Sequence, residues 1–150
     1  EVRKSCNLWA RPVGRAFFFF YIFYKEEKIT KKEHFDALFE RGRSVKAFPF
    51  SLRYLPAELE EDGVQRKVAV VVPKRGLKLA VDRNRVKRQM RELYRLHKHE
   101  VFSSGVQEIW SIRYLGNRLN DYAFLESGFQ NLLKAYHEKR KEELATEDSK

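Results

Sequence analysis

The apolar positions of the chain change period several times, and each change marks an element. Between Thr30 and Arg41 (TKKEHFDALFER), Phe35, Leu38 and Phe39 recur at i, i+3 and i+4, which predicts a helix. Thr30 and Glu33 have the spacing of a capping box, and Gly42 stands where a helix-ending glycine belongs. Over Arg43–Leu55 the period falls to two. Phe50, Leu52 and Tyr54 alternate with Ser51 and Arg53, which predicts two short strands interrupted at Pro49. Lys67–Val72 (KVAVVV) is almost wholly apolar and β-branched, the pattern of a central strand covered on both faces. Gln107–Leu115 alternates again, with Ile109, Ser111 and Arg113 on one face and Trp110, Ile112 and Tyr114 on the other. Asn120–Lys139 returns to helical spacing through Phe124, Leu125, Phe129, Leu132, Leu133 and Tyr136. Beyond it the period is lost, and a frayed tail is expected.

The most polarised stretch is Asp82–His99 (DRNRVKRQMRELYRLHKH). Wound as a helix, it gathers Asn84, Lys87, Arg88, Arg91, Arg95 and Lys98 within roughly a third of the circumference. Val86, Met90, Leu93, Tyr94 and His97 fall on the other side. The apolar stripe needs a core. From Lys74 to Lys98 there are ten basic residues against two acidic ones, which is +8 of the chain's formal +10. A solvated helix face usually mixes signs at i, i+4. Here like charges meet (Lys87–Arg91, Arg88–Arg91, Arg91–Arg95), at a cost of a few tenths of a kcal/mol per pair unless a counter-charge is supplied. The stripe therefore reads as a nucleic-acid surface, and its arginines suit bidentate contacts to phosphate. The turn before it (PKRGLK) carries Lys74, Arg75 and Lys78, with Asp82 or a neighbour expected as the helix cap.

Composition adds bounds. With 150 residues, 43% of them hydrophobic, the chain is long enough for one domain with a real core. A single cysteine, Cys6, excludes an internal disulfide and any cysteine-based zinc site, and fits a reducing, cytoplasmic setting. Residues 1–27 stand apart as a poorly ordered extension. Their Ala16–Tyr24 run (AFFFFYIFY) is nine residues long, whereas a membrane span needs about 20. The run could instead be an extra strand or a platform for stacking bases. The division expected is 1–27 extension, 28–139 folded domain and 140–150 disordered tail.

Catalytic patterns are missing. Neither GxxxxGK[ST] nor GxGxxG occurs, and no Ser/His/Asp or Cys/His arrangement stands out. His34, His97, His99 and His137 are scattered. The dense acidic run Glu58, Glu60, Glu61 and Asp62 falls in a polar connection and reads as a solvated loop, not a metal site. The residues alone thus favour RNA or DNA binding over a self-contained protein active site.

The element order, together with PKR, AVDRNRVKRQMRELYR and EHFDALFERGRSV, resembles the protein component of bacterial ribonuclease P over about residues 28–139. The likeness lies in Arg83-Asn84-Arg85 with Lys87, Arg88 and Arg91 behind it, in the basic pair Lys74-Arg75, and in Phe35 and Phe39 followed by Gly42. The resemblance implies an α+β fold of order α-β-β-β-α-β-α. It has a four-stranded sheet, three helices and a left-handed β-α-β crossover, against the usual right-handed rule. It implies the protein subunit of an endoribonuclease that removes the 5′ leader of precursor tRNA. The catalytic RNA and its Mg²⁺ do the chemistry, and no metal is held by the protein. Partners would be ribonuclease P RNA and precursor tRNA, with no membrane, the protein being a monomer in a 1:1 ribonucleoprotein. Lys74, Arg75, Arg83, Asn84, Arg85, Lys87, Arg88, Arg91 and Arg95 would hold the catalytic RNA. Phe35, Phe39, Phe50, Leu52 and Tyr54 would line a leader cleft. A non-enzymatic RNA-binding protein of ribosome type and a membrane-surface protein are the alternatives.

Overall fold

The computed structural model describes residues 28–59, 65–101 and 106–149. The extension with its aromatic run lies outside them, as do residues 60–64 and 102–105. In chain order the elements are α1 (Lys32–Arg41), β1 (Arg43–Ala47), β2 (Phe50–Pro56), β3 (Arg66–Val71), α2 (Ala80–Val101), β4 (Glu108–Tyr114) and α3 (Tyr122–Asp148). This is the expected order of an α+β fold. The four strands form one sheet in the order β1-β2-β4-β3. β2 pairs antiparallel with β1 and β4, and β3 pairs parallel with β4, so α2 is the crossover between parallel neighbours.

Strand alternation divides the sheet into two unlike faces. Phe50, Leu52 and Tyr54 of β2, Val68 of β3, and Trp110, Ile112 and Tyr114 of β4 point to one side. There they meet Val86, Met90, Leu93 and Tyr94 of α2 and Leu125, Phe129, Leu132, Leu133 and Tyr136 of α3. Aromatic edges interlock across this core: Tyr54–Tyr136 at 5.0 Å, Trp110–Tyr136 at 4.8 Å and Phe50–Phe129 at 6.0 Å between centroids. On the other side, among the described residues, α1 packs down through a small cluster of Leu38, Leu59 and Ile109 flanked by Ile29, Leu55 and Ala57.

Several expectations change. β3 is an edge strand, and the central place beside it belongs to β4. Of its apolar residues only Val68 is buried, Val70 packs partly against the core and Val71 is exposed, while the other two buried residues, Arg66 and Lys67, are charged. Its outer edge is partly covered by the chain before α1, where the Ile29 N–H donates to Val68 O at 3.4 Å and Lys28 bridges to Val68. The capping box does not form: α1 begins at Lys32 with Lys31 as N-cap and no side-chain cap bond. Gly42 does end the helix, at φ −66°, and its N–H donates to Leu38 O at 2.9 Å. A Cβ there would stand 2.1 Å from that oxygen. Asp82 lies inside the first turn of α2, two residues past its start.

The tail expected to be disordered from 140 onward is helical to Asp148. Loss of apolar period did not end α3, because charged contacts replace it. Arg140 Nε lies 3.3 Å from Glu108 Oε1, and Glu143 receives Arg43 at 2.6 Å and the Tyr54 hydroxyl at 2.7 Å. Burial alone would raise the Glu143 pKa, but the bonds from Tyr54, Arg43 and Arg140 outweigh it and hold the carboxyl below its ordinary value.

Glu108 is fully buried at the start of β4. Its carboxylate accepts from Trp110 Nε1 at 2.7 Å and from the Tyr136 hydroxyl at 2.5 Å, and lies 3.7 Å from Arg66 of β3. Burial and that bond push the Tyr136 hydroxyl pKa upward, so it remains a donor. Removing one partner of a buried pair strands the other. Glu108→Gln is expected to cost about 3 kcal/mol in urea denaturation followed by circular dichroism. A loss under about 1 kcal/mol would show that apolar contacts hold β3 and α3 without the carboxylate.

Candidate nucleic-acid interface

Helix α2 lies with its apolar stripe in the core: Val86, Met90, Leu93 and Tyr94 are buried. Its opposite side is the cationic surface. Asn84, Arg85, Arg88 and Arg91 are exposed and Lys87 is partly so. Among the described residues, none of these five has a carboxylate partner. Val81, Asn84, Arg85, Arg88 and Gln89 line a shallow depression of about 530 Å³ along the stripe.

Two members of the predicted stripe, Arg95 and Lys98, behave differently, as does Arg83 of the Arg-Asn-Arg motif. Arg95 is neutralised within the helix: Glu92 accepts its Nε at 3.0 Å, and this bond lowers the Glu92 pKa. Lys98 is 1% exposed, so the stripe ends about a turn earlier than the angles suggest. Arg83 turns back onto the approach to the helix. Its Nη1 donates to Leu77 O at 2.8 Å and Lys78 O at 2.6 Å, bracing the turn that carries Lys74 and Arg75. Lys74 and Arg75 are both exposed in that turn.

The predicted cleft residues do not come together. Phe35 is half-buried and Phe39 is 59% exposed on α1. Phe50, Leu52 and Tyr54 are 0% exposed and face α2 and α3, on the far side of the sheet from α1. Period two was legible, but which parity faced the core was not. The residues beside α1 are the alternate set. Arg53 donates from Nη1 to Phe39 O at 3.2 Å, and its guanidinium lies 5.2 Å from the centroid of the Phe39 ring. Pairing register sets Arg53 opposite Ser111, and Ser51 between Lys46 and Arg113. Lys46 and Arg113 are exposed. Ser51, Arg53 and Arg113 were missed as site residues. Their signal was their place in strands, opposite in parity to the aromatic positions.

Both surfaces meet at one end of the sheet. Arg113, at the end of β4, and Arg75, in the turn after β3, line one depression of about 250 Å³ together with Gly76 and Gly116. A Cβ on Gly76 would stand 2.5 Å from Gly116 O, so the turn can lie this close only as glycine. Cationic and aromatic groups thus run from the open sheet face, around the basic turn, onto α2. Among the described residues, no group of three or more His, Cys, Asp or Glu gathers as a metal site, and no helix is long and apolar enough to cross a membrane.

Fold and surface together define a small α+β protein that grips a polyanion. The Ribonuclease P family model matches residues 23–137. The chain is 31% identical over 114 residues to the ribonuclease P protein component of Desulfovibrio desulfuricans, covering 76% of this chain and 85% of that one. It is 35% identical over 111 residues to the same component of Clostridium botulinum strain Langeland, covering 73% and 94%. Two solved structures share the fold. The RNase P protein of Staphylococcus aureus has a TM-score of 0.59 at 20% identity, covering 72% of this chain and 93% of that one. That of Thermotoga maritima has a TM-score of 0.56 at 21%, covering 71% and 94%. The chain belongs to the ribonuclease P protein family, the protein subunit of the ribonucleoprotein endonuclease that matures tRNA 5′ ends.

Arg83→Ala is expected to loosen the basic turn. Amide exchange should accelerate at Arg83, whose N–H donates to Leu79 O at 3.2 Å. Stability should fall by about 1 kcal/mol, the scale of a lost hydrogen bond. Unchanged exchange would show that the turn stands without the clamp.

Proposed function

We propose that the chain divides its work within ribonuclease P between two surfaces. The exposed side of α2 (Asn84, Arg85, Lys87, Arg88 and Arg91) holds the catalytic RNA by its phosphates. The open sheet face beside α1 holds the unpaired 5′ leader of precursor tRNA, with Phe39 and Phe35 for stacking and Arg53, Lys46 and Arg113 for backbone charge. Lys74 and Arg75 join the two. Cleavage chemistry belongs to the RNA, which holds the Mg²⁺, and the protein acts in the cytoplasm as a monomer in a 1:1 complex.

The observation that carries this reading is the row of exposed cations on α2, unmatched by carboxylates among the described residues. Such a row gives affinity through counterion release, which is strong and sequence-independent. The leader differs between substrates, so contacts to it must tolerate any base. An aromatic ring beside guanidinium groups meets that need, since every base has a π-face. The ribosome-type alternative shares the α2 row but gives no use to Phe39, a large apolar ring left 59% exposed beside Arg53.

Reconstitution with ribonuclease P RNA at low Mg²⁺ supplies the assays. Arg88→Ala should weaken binding to the RNA and lower the slope of log K against log salt by about one. An unchanged slope would remove Arg88 from the phosphate contacts. Phe39→Ala should weaken holoenzyme binding of precursor tRNA roughly tenfold, the scale of one lost base–aromatic contact, and leave mature tRNA unaffected. Equal losses on both would take Phe39 out of the leader path.

A further inference from the structure

One exposed aromatic pair has no part in either surface. Phe48, at the tip of the β1–β2 hairpin, is 65% exposed, and Phe124, in the first turn of α3, is 45% exposed. Their rings meet edge to face at 6.2 Å. The core closes beneath them without their help, through Phe50, Tyr114, Leu125 and Phe129.

The pair is held firmly. Gly128 of α3 lets Pro49 lie against the helix, since a Cβ there would stand 2.4 Å from Pro49 Cδ. The Leu115 N–H donates to Pro49 O at 2.7 Å, tying the hairpin tip to the end of β4. The loop beyond is fixed in turn: the Tyr114 hydroxyl donates to Arg118 O at 2.6 Å and receives Asn120 Nδ2 at 2.7 Å. Between hairpin and loop lies a depression of about 220 Å³, lined by the two phenylalanines with Asn117, Arg118, Asn120 and Asp121.

Its chemistry is specific in kind. Asn120 commits its amide nitrogen to Tyr114, which leaves its carbonyl oxygen for an outside donor. Among the described residues, the side chains of Asn117, Arg118 and Asp121 have no hydrogen-bond or ion-pair partner. Two rings, two amides, a carboxylate and a guanidinium around one small hollow complement a nucleobase with its phosphate. A purely apolar partner would strip water from the polar groups and give nothing back. The hollow also continues the cationic path, because Asn117 lines both it and the depression holding Arg75 and Arg113.

We propose that this hollow is a second stacking site, which takes the base of one unpaired nucleotide against Phe48 and Phe124, with its phosphate on Arg118. The inference rests on the RNA-binding reading above and adds a contact to it. The nucleotide belongs either to the catalytic RNA or to precursor tRNA, and the two are told apart by measuring each separately.

The test uses the full chain in two arms: binding to ribonuclease P RNA alone, and binding of precursor tRNA by the reconstituted holoenzyme. Phe48→Ala and Phe48→Leu should each weaken one arm roughly tenfold. Phe48→Trp should hold near the unsubstituted chain, and Arg118→Ala should weaken the same arm. The arm affected identifies the RNA. Wild-type affinity for Phe48→Leu would overturn stacking in favour of simple apolar contact. So would a protein dimer in sedimentation that Phe48→Ala dissociates, since a second copy would then cover the pair. If Phe48→Ala is silent in both arms while Arg88→Ala still loses RNA affinity, this site falls and the two-surface reading stands. If both are silent, both fall.

Discussion

The buried carboxylate of Glu108 is the point on which the arrangement turns. It sits where β4 begins, beside Arg66 of β3, and reaches Trp110, Tyr136 and Arg140. A buried charge is tolerated only when partners replace the water it has lost. Here they come from a neighbouring strand, from its own strand and from the long helix. Satisfying one side chain therefore fixes β3 next to β4 and sets α3 across the sheet. It also holds Trp110 where Tyr94 of α2 meets its edge at 6.3 Å. The orientation of α2, and so the direction of its cations, follows from that packing.

The two faces of the sheet are built for different ends. One is closed by α2 and α3 over a continuous apolar core. On the other, among the described residues, Leu38 of α1 meets Ile109 and Leu59, and the strands also carry Ser51, Arg53 and Arg113. A half-covered sheet with polar side chains costs little where water solvates them. Period-two alternation thus makes an apolar face and a polar face from the same strands. In β2, Phe50, Leu52 and Tyr54 serve the core while Ser51 and Arg53 face the side of α1.

Much of this was legible in sequence. The polarity of α2 stood out because its two stripes differ in both charge and hydropathy, and Val86, Met90, Leu93 and Tyr94 are buried as their spacing requires. What stayed hidden depended on long-range pairing. The apolar run of β3 reads as a central strand, yet its place at the edge follows from the β1-β2-β4-β3 order, which no local pattern encodes. The cleft place that the resemblance implied for Phe50, Leu52 and Tyr54 gives way to the core because parity is ambiguous in sequence. Aromatic residues suit a core and a nucleotide cleft equally well, and only the partners across the sheet decide. Arg83 looked like its basic neighbours, but its reach back to two carbonyls comes from the path of the turn. The reach of α3 past Lys139 was invisible because ion pairs from Arg140 and Glu143, not apolar spacing, hold it.

The split between the two faces also explains why the cations concentrate on one helix. A crossover between parallel neighbours must lie flat on the sheet, so its apolar stripe faces inward and the other side faces water. Like charges gathered on that outer side repel, and the described part of the chain offers Asn84, Arg85, Lys87, Arg88 and Arg91 no carboxylates. Arg95 shows the alternative, since Glu92 one turn away neutralises it at once. A helix could repeat that pairing along its length and be more stable alone. Leaving the pairing out trades a little intrinsic stability for a surface that is complete only against a polyanion. The face beside α1 carries the opposite arrangement, a guanidinium beside the exposed Phe39 ring, the kind of contact that tolerates any base. On the proposed division, grip on a constant RNA and grip on a variable leader come from different chemistry, on two sides of one sheet whose end carries Arg75 and Arg113 around one depression.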